Sequence, residues 1–367
     1  MKFVDEYRDP ELCLRLADEI RRIVTEPRTI MEVCGGQTHG LLCHGIDEQL
    51  EGAVRLIHGP GCPVCVTPTE EIDVAIELAL RPGVTLASFG DMLRVPGSRE
   101  SLLQARARGG EVRLVYSPLD AVTLARTAPD REVVFFAVGF ETTSPATALA
   151  VQQAHDLGLE NFSLLVAHVR VLPAMEAIMQ ADDCGVEGFL AAGHVCTVDG
   201  FNAYHGFVER HRVPVVVTGF EPADLLVGIR ECVRQIEAGL PAVTNCYERC
   251  VRSDGNEHAR QIVADTFEVC DQAWRGLGVV SEGGLRLRDR WAAFDARRRF
   301  SRRDVLPLLP NRCRSGEVLT GRLRPTECEC FGVECTPEVP LGAPMVSSEG
   351  ACAAYFRYGR TAEGKIR

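Results

Sequence analysis

Apolar residues along this chain gather in short β-branched runs, each followed by a loop rich in Gly, Cys or Pro and then by a helical stretch. The runs fall at 30–33, 54–57, 84–87, 112–116, 133–138, 162–167 and 213–217. Continuous apolar character predicts strands buried on both faces, and their alternation with helical stretches predicts parallel α/β units. Ahead of them Leu12, Leu16, Ile20 and Ile23 recur on one helical face after Pro10, which predicts an amphipathic helix docked on a neighbouring domain. Two of the runs continue almost identically, VVFFAVGFETTSP ending in Gly139, Phe140 and Glu141, and VPVVVTGFEP ending in Gly219, Phe220 and Glu221. Pro145 and Pro222 stand where a following helix starts, so one strand-to-helix turn is expected twice. After Pro241 the pattern changes: a helical segment is expected from about His258 to Trp274, then a tail rich in Arg, Pro, Gly and Cys with few periodic runs. The expected fold is α/β, with parallel-sheet domains at residues 1–125 and 126–240 and a third, cysteine-rich domain at 241–367.

Charge narrows the function. Lys and Arg number 40 against 51 Asp and Glu, and a net charge of -11 gives no broad attraction to nucleic acid or to an anionic membrane. The opening MKFVDEYRDPEL carries acids where a secretion signal needs a basic and then an apolar region, and no run approaches membrane-spanning length. A cytoplasmic protein with no nucleic-acid or membrane partner is expected. Sixteen cysteines in a reducing compartment are buried thiols, metal ligands or redox groups rather than structural staples.

Three groups of residues carry chemistry. The tail, unable to bury much apolar surface, needs another source of order, and Cys313, Cys328, Cys330, Cys335 and Cys352 offer one. Four converging thiolates suit zinc or a cubane iron-sulfur cluster; the CxxC pairs usual at zinc sites are missing from the tail, which favours iron-sulfur. In HGPGCPVCVTPTEE, Cys62 and Cys65 form a CxxC after a strand, while Thr67, Pro68 and Glu70 read as a capping-box helix start. Cys65 is thus expected just before a helix N-terminus, where the dipole favours thiolate and the spacing permits a reversible disulfide. In MEVCGGQTHG, Cys34 follows a strand, two glycines let the backbone approach a ligand, and His39 lies five residues on. A soft thiolate beside an imidazole can hold iron or attack an electrophile. His194 in AAGHVCTVDG and His168 in LLVAHVR also follow apolar strands, His168 reading better as a satisfied core histidine. Glu141 and Glu221 read equally as complements to helix dipoles and as functional groups. Cys13, Cys43, Cys184, Cys196, Cys232, Cys246, Cys250 and Cys270 read as inert thiols.

Together the blocks MEVCGGQTHG, IHGPGCPVCVTP, GFETTSPAT, AAGHVCTV, VTGFEP, WRGLG and CTPEVPLGAPMVSSEGACAAY, in one order along nearly the whole chain, resemble the HypD family of hydrogenase maturation proteins. The family's C-x14-C-x6-C-x16-C pattern fits Cys313, Cys328, Cys335 and Cys352, which the resemblance makes ligands of a 4Fe-4S cluster, with Cys330 a bystander. The resemblance also implies an iron-sulfur third domain and a scaffold, rather than a conventional turnover enzyme, that joins the small chaperone HypC to assemble the Fe(CN)2CO part of the nickel-iron hydrogenase site. Cys34 would help hold the iron, and cyanide would come from a thiocyanate on HypE, prepared with HypF, with the hydrogenase large subunit served indirectly. Cys62 and Cys65 would cycle between dithiol and disulfide, His39 would tune basicity or move a proton, Glu141, Thr142 and Thr143 would polarise the crevice, and His194 would point into it. Many relatives read CGGHTH where this chain has Gln37, which leaves His39 to serve alone, and often carry a cysteine where it has Pro344. An iron-sulfur-dependent protein disulfide reductase uses the same redox parts, and a zinc-stabilised binding module uses the tail alone.

Overall fold

The computed structural model describes residues 4–300, 312–361 and 364–365. Each apolar run forms a strand: β1 (Arg28–Glu32), β2 (Val54–His58), β3 (Val84–Ser88), β4 (Val112–Leu114), β5 (Glu132–Gly139), β6 (Phe162–His168) and β8 (Val215–Thr218). Two more join them, β7 (Gly188–Ala192), which leads into His194, and a short edge strand, β9 (Val243–Asn245), that no apolar run announces. All pairings are parallel, in the order β2-β1-β7-β8-β9 in one sheet and β4-β3-β5-β6 in the other.

The two sheets interleave along the chain. β1 and β2 reach across to β7, β8 and β9, so the expected boundary between residues 125 and 126 falls inside the second sheet, between β4 and β5. The cause is β7, whose residues are buried throughout and which therefore takes a central place, between β1 and β8. Its Phe189 and Ala191 join Met31, Ile57, Val215 and Val217 in one core, while Leu190 and Val216 face the opposite one. That second core takes the expected amphipathic helix, Pro10–Ile23, through Leu16, Ala17 and Ile20, together with Leu225, Leu226 and Ile229 of the helix Pro222–Ala238.

The helix expected at 258–274 stops at Thr266. Helix Glu257–Thr266 gives way to β10 (Phe267–Trp274), which pairs antiparallel with β11 (Gly278–Leu287). From Glu268 to Trp274 exposure alternates with period two; residues 262, 267, 270 and 274 fit helical spacing equally well, and pairing with β11 decides between the two periods. This hairpin lies over β6 and the helix Val171–Met179. The last helix, Ala351–Tyr358, packs on the helix Gly35–Cys43, bringing the cysteine-rich tail against the CGG motif. Among the described residues no helix is long and apolar enough to cross a membrane.

Candidate functional site

Ligand sites of parallel sheets lie beyond the carboxyl ends of strands, and here both sheets direct those ends into one core containing Cys34, Cys62, Cys65, Phe140, Val169 and Cys196. Cys34 leaves β1 in extended conformation and caps the helix Gly35–Cys43. The loop after β2 lies directly on it: the Gly35 N–H donates to the Gly61 carbonyl at 3.0 Å, and a Cβ at Gly61 would stand 2.0 Å from the Cys34 nitrogen. Only glycine at 61 lets the two sulfur-bearing loops touch.

Beneath them Glu32 is fully buried at the end of β1, beside His58 in register on β2. Its carboxylate accepts from the Cys34 N–H at 2.7 Å, from His58 Nδ1 at 3.0 Å and from the Thr38 hydroxyl. One carboxylate thereby fixes the thiol loop, the first turn of its helix and the neighbouring strand. His58 Nε2 has no hydrogen-bond partner among the described residues, and the His58 ring meets Tyr355 of the last helix edge-on, with centroids 5.4 Å apart.

The imidazole that reaches the thiol is His194, with Nδ1 3.7 Å from Cys34 Sγ, its ring lying over Phe220 at 5.1 Å between centroids. Burial pushes the Cys34 thiol up, and Glu32 and Glu349 push it further, against backbone N–H groups of Gln37 and Gly36 that lower it. Burial also lowers His194. The resting pair is therefore a neutral thiol beside a neutral imidazole, and a metal cation at that sulfur would displace the proton outright. His39 is half-buried and turned away, its ring edge-on to Tyr358 at 5.1 Å. Gln37 is buried and donates through Nε2 to the Ala191 carbonyl at 3.1 Å, tying the CGG helix to the strand before His194.

Cys62 and Cys65 form a disulfide. Cys62 caps a one-turn helix, Pro63–Val66, that contains Cys65, and the expected capping box is absent: the Thr67 hydroxyl donates back to the Pro63 carbonyl at 2.8 Å, and the next helix starts at Thr69 without a side-chain cap. The dipole argument for a Cys65 thiolate does not apply to a sulfur already bonded to its neighbour.

Of the second sheet's groups, Glu141 accepts from the Val171 N–H at 2.8 Å, the start of the helix Val171–Met179, as its helix-complementing reading requires. Burial, then the nearby Asp199, pushes its carboxyl up to about 7, and its Oε2 has no hydrogen-bond partner among the described residues. Thr142 beside it is half-buried. His168 is a core histidine, its Nδ1 3.2 Å from the Gly139 carbonyl and its Nε2 3.0 Å from the Thr147 hydroxyl, with burial lowering it to about 4.

The tail cysteines gather in a small core of Cys330, Cys335 and Met345 edged by Cys328 and Cys352. Cys352 is pushed well up by burial, and then by Cys313, Cys335 and Cys328, so the four thiols share one neighbourhood. Cys330 is raised by burial first, with Arg312 lowering it and Glu334, Cys328 and Glu329 raising it. The surroundings fit a sulfur-ligated group: the Leu341 N–H points at Cys335 Sγ at 3.4 Å, and a Cβ at Gly342 would fall 2.1 Å from Cys313 Sγ, so the loop closes on that sulfur only as glycine. Among the described residues no group of three or more His, Cys, Asp or Glu side chains is arranged to hold a metal ion.

Sequence reasoning missed Glu32, His58 and Glu349. A charge inside the buried run Ile30, Met31, Val33 was the available signal for Glu32. Glu349 reaches the site because the tail folds back, its Cβ 2.5 Å from where a Cβ at Gly35 would stand, and nothing local foretells that.

Known proteins place the chain in a family. The HypD family model, described as the hydrogenase formation hypA family, matches residues 11–359. The chain is similar to the hydrogenase maturation factor HypD of Rhodobacter capsulatus, 47% identical over 372 residues and 98% of each chain. It is similar to those of Rhizobium leguminosarum bv. viciae (47% over 379 residues, 100% of this chain and 98% of the relative) and Escherichia coli K12 (46% over 366 residues, 98% of each).

Proposed function

The chain belongs to the HypD family of hydrogenase maturation factors, and on that premise we propose that it is the scaffold on which, with HypC, the Fe(CN)2CO moiety of the nickel-iron hydrogenase site is built. The observation that carries this reading is the meeting of Cys34, His194 and the Cys62–Cys65 disulfide in one buried core at the carboxyl ends of two sheets. Iron is the cargo: bound by Cys34 and a cysteine of HypC, it displaces the Cys34 proton, and neutral His194 stands in reach to accept it.

Cyanide arrives from a thiocyanate on HypE, which HypF helps to prepare. Breaking the S–CN bond takes two electrons and one proton, the sulfur leaving as thiol and the carbon as cyanide onto iron. The Cys62–Cys65 dithiol supplies both electrons and that proton, releases a second proton and closes to the disulfide. Regenerating the dithiol takes two electrons and two protons, the electrons from a low-potential one-electron donor. The tail segment is proposed as an iron-sulfur domain in which Cys313, Cys328, Cys335 and Cys352 hold a 4Fe-4S cluster that supplies single electrons at low potential. The site residues' own part is to exclude water, hold the proton at Cys34 until metal arrives, and keep the dithiol beside the iron. Cytoplasmic location and indirect service to the hydrogenase large subunit belong to the same proposal.

Mixing the protein with HypC tests the reading. A stable complex that co-elutes on gel filtration is expected, lost in Cys34→Ala; a complex indifferent to every cysteine change removes the scaffold mechanism. Metal analysis separates the zinc-module rival, since a brown anaerobic preparation with about four irons and matching sulfide is expected, and colourless protein with stoichiometric zinc contradicts it.

A further inference from the structure

Between the crevice and the tail cysteines stands one side chain that the proposed chemistry does not use. Arg275 follows buried Trp274 at the end of β10, and its backbone N–H donates to the Val66 carbonyl at 2.8 Å. Its Nε donates to the Thr67 carbonyl at 2.9 Å, so backbone and guanidinium together clamp the residue to the two positions after Cys65. On the other side the hairpin is wedged against the tail: a Cβ at Gly276 would stand 2.4 Å from Gly316 Cα, and Gly276 sits at φ +85°. The groups facing the guanidinium are the Cys313 sulfur, then the carboxylates of Glu70 and Asp73. The residue as a whole is half-buried, yet Nη2 is shut off from solvent and has no hydrogen-bond partner among the described residues.

A buried donor left unsatisfied is costly, and more so on a charged group than on an ordinary polar one. Such a group is kept where a negative partner completes it. Trp274 pins the presentation, donating through Nε1 to the Gly283 carbonyl at 3.0 Å and packing on Phe140 at 5.8 Å between ring centroids.

We propose that Arg275 is a positioning residue that spans the Cys62–Cys65 turn and Cys313, its fixed positive charge favouring the reduced, more negative state of the group the tail cysteines hold and so easing the filling of that group from an external reductant, the step that limits delivery of electrons to the disulfide. The inference rests on the iron-sulfur reading of those cysteines. The step it assists is reduction of the Cys62–Cys65 disulfide: the S–S bond takes two electrons, delivered singly from a low-potential one-electron donor, and two protons from solvent, giving two thiols. A cation beside the electron-carrying group lowers the cost of adding each negative charge, and a low-dielectric setting enlarges that effect.

The test uses the full chain, reconstituted anaerobically, as wild type, Arg275→Gln and Arg275→Lys. Iron and sulfide are measured first, then the midpoint potential by redox titration followed by electron paramagnetic resonance. Dithiol formation under reduced viologen is followed by alkylation and mass spectrometry of the Cys62–Cys65 peptide, with Cys352→Ala setting the direct rate. Arg275→Gln is expected to keep its iron, to show a potential more negative by about 59 mV, a tenfold change for a one-electron couple, and to form dithiol at least tenfold more slowly. Arg275→Lys, which keeps the charge, is expected to retain the wild-type potential. Arg275→Gln with full iron and wild-type potential and rate overturns the proposal. If Arg275→Gln loses its iron, the lysine variant decides, because a tenfold-equivalent fall in its potential contradicts a role for the charge. A wild type that takes up no iron removes the iron-sulfur reading and this inference together, an outcome distinct from any confined to position 275.

Discussion

Around Cys34 the sulfur is placed by two parallel strands, by a glycine that lets loops touch, and by the Glu32 carboxylate, all of which stand without metal. Between residues 312 and 359 the balance is reversed: Cys330, Cys335 and Met345 form the centre of the local core, and Cys328 and Cys352 edge it. On the proposed function the first region is a preorganised receptor for cargo. On the same proposal the second is a segment whose order is tied to what its sulfurs bind, as in small metal-stabilised domains. A scaffold that takes up and releases iron needs the first kind of site, and a resident electron carrier needs the second.

The sharpest way to break this contrast is to remove tail sulfurs singly. Changing any of Cys313, Cys328, Cys335 or Cys352 to Ala is expected to abolish bound iron and expose 312–359 to limited proteolysis, while the Cys62–Cys65 disulfide still forms; Cys330→Ala is expected to keep its iron. Collapse of the parallel sheets along with the iron, seen as lost circular dichroism, would make the two regions one folding unit. Next in size, Cys62→Ser is expected to retain full iron in the tail yet lower cyanide incorporation on the order of 100-fold in single turnover with loaded HypE.

The pH profile of stability sharpens the contrast inside the crevice. Glu141 is raised from 4.5 to about 7 by burial and by Asp199, so the folded chain binds this proton more tightly than the unfolded one. Its contribution is whole below pH ~4.5 and is lost as pH rises to about 7, by roughly 3 kcal/mol at most. Urea unfolding across that window is expected to show the fall in wild type and to lose that component in Glu141→Gln, whose amide oxygen still accepts from Val171. The smallest effect is at Glu32: Glu32→Gln keeps the shape and loses charge-assisted bonds to Cys34 and His58, costing about 2 kcal/mol in urea unfolding with iron in the tail unchanged.

Much of this was legible from residues alone because it is local. Apolar runs such as 133–138 can only be buried strands, and the CGG and CxxC loops follow runs that end in the same direction. The interleaving of the sheets was not legible, since the pairing of β1 with β7 joins residues some 160 positions apart and no local pattern encodes it. The same non-local closure explains why His194 rather than His39 reaches Cys34: five residues along a helix carry His39 to the Tyr358 side, while β7 delivers His194 from across the sheet. The GFE turns show a related limit. Glu141 is buried under Val171, whereas Glu221 pairs with Arg8 near the surface, a difference set by what packs above each turn.

Infrared spectroscopy of the complex with HypC, purified anaerobically after maturation, tests the central claim most directly, because bound cyanide and carbon monoxide absorb where protein does not. Cyanide and carbonyl bands are expected in wild type and absent in Cys34→Ala. The same bands at full strength in Cys34→Ala would contradict the assignment of the crevice thiol as the seat of the iron.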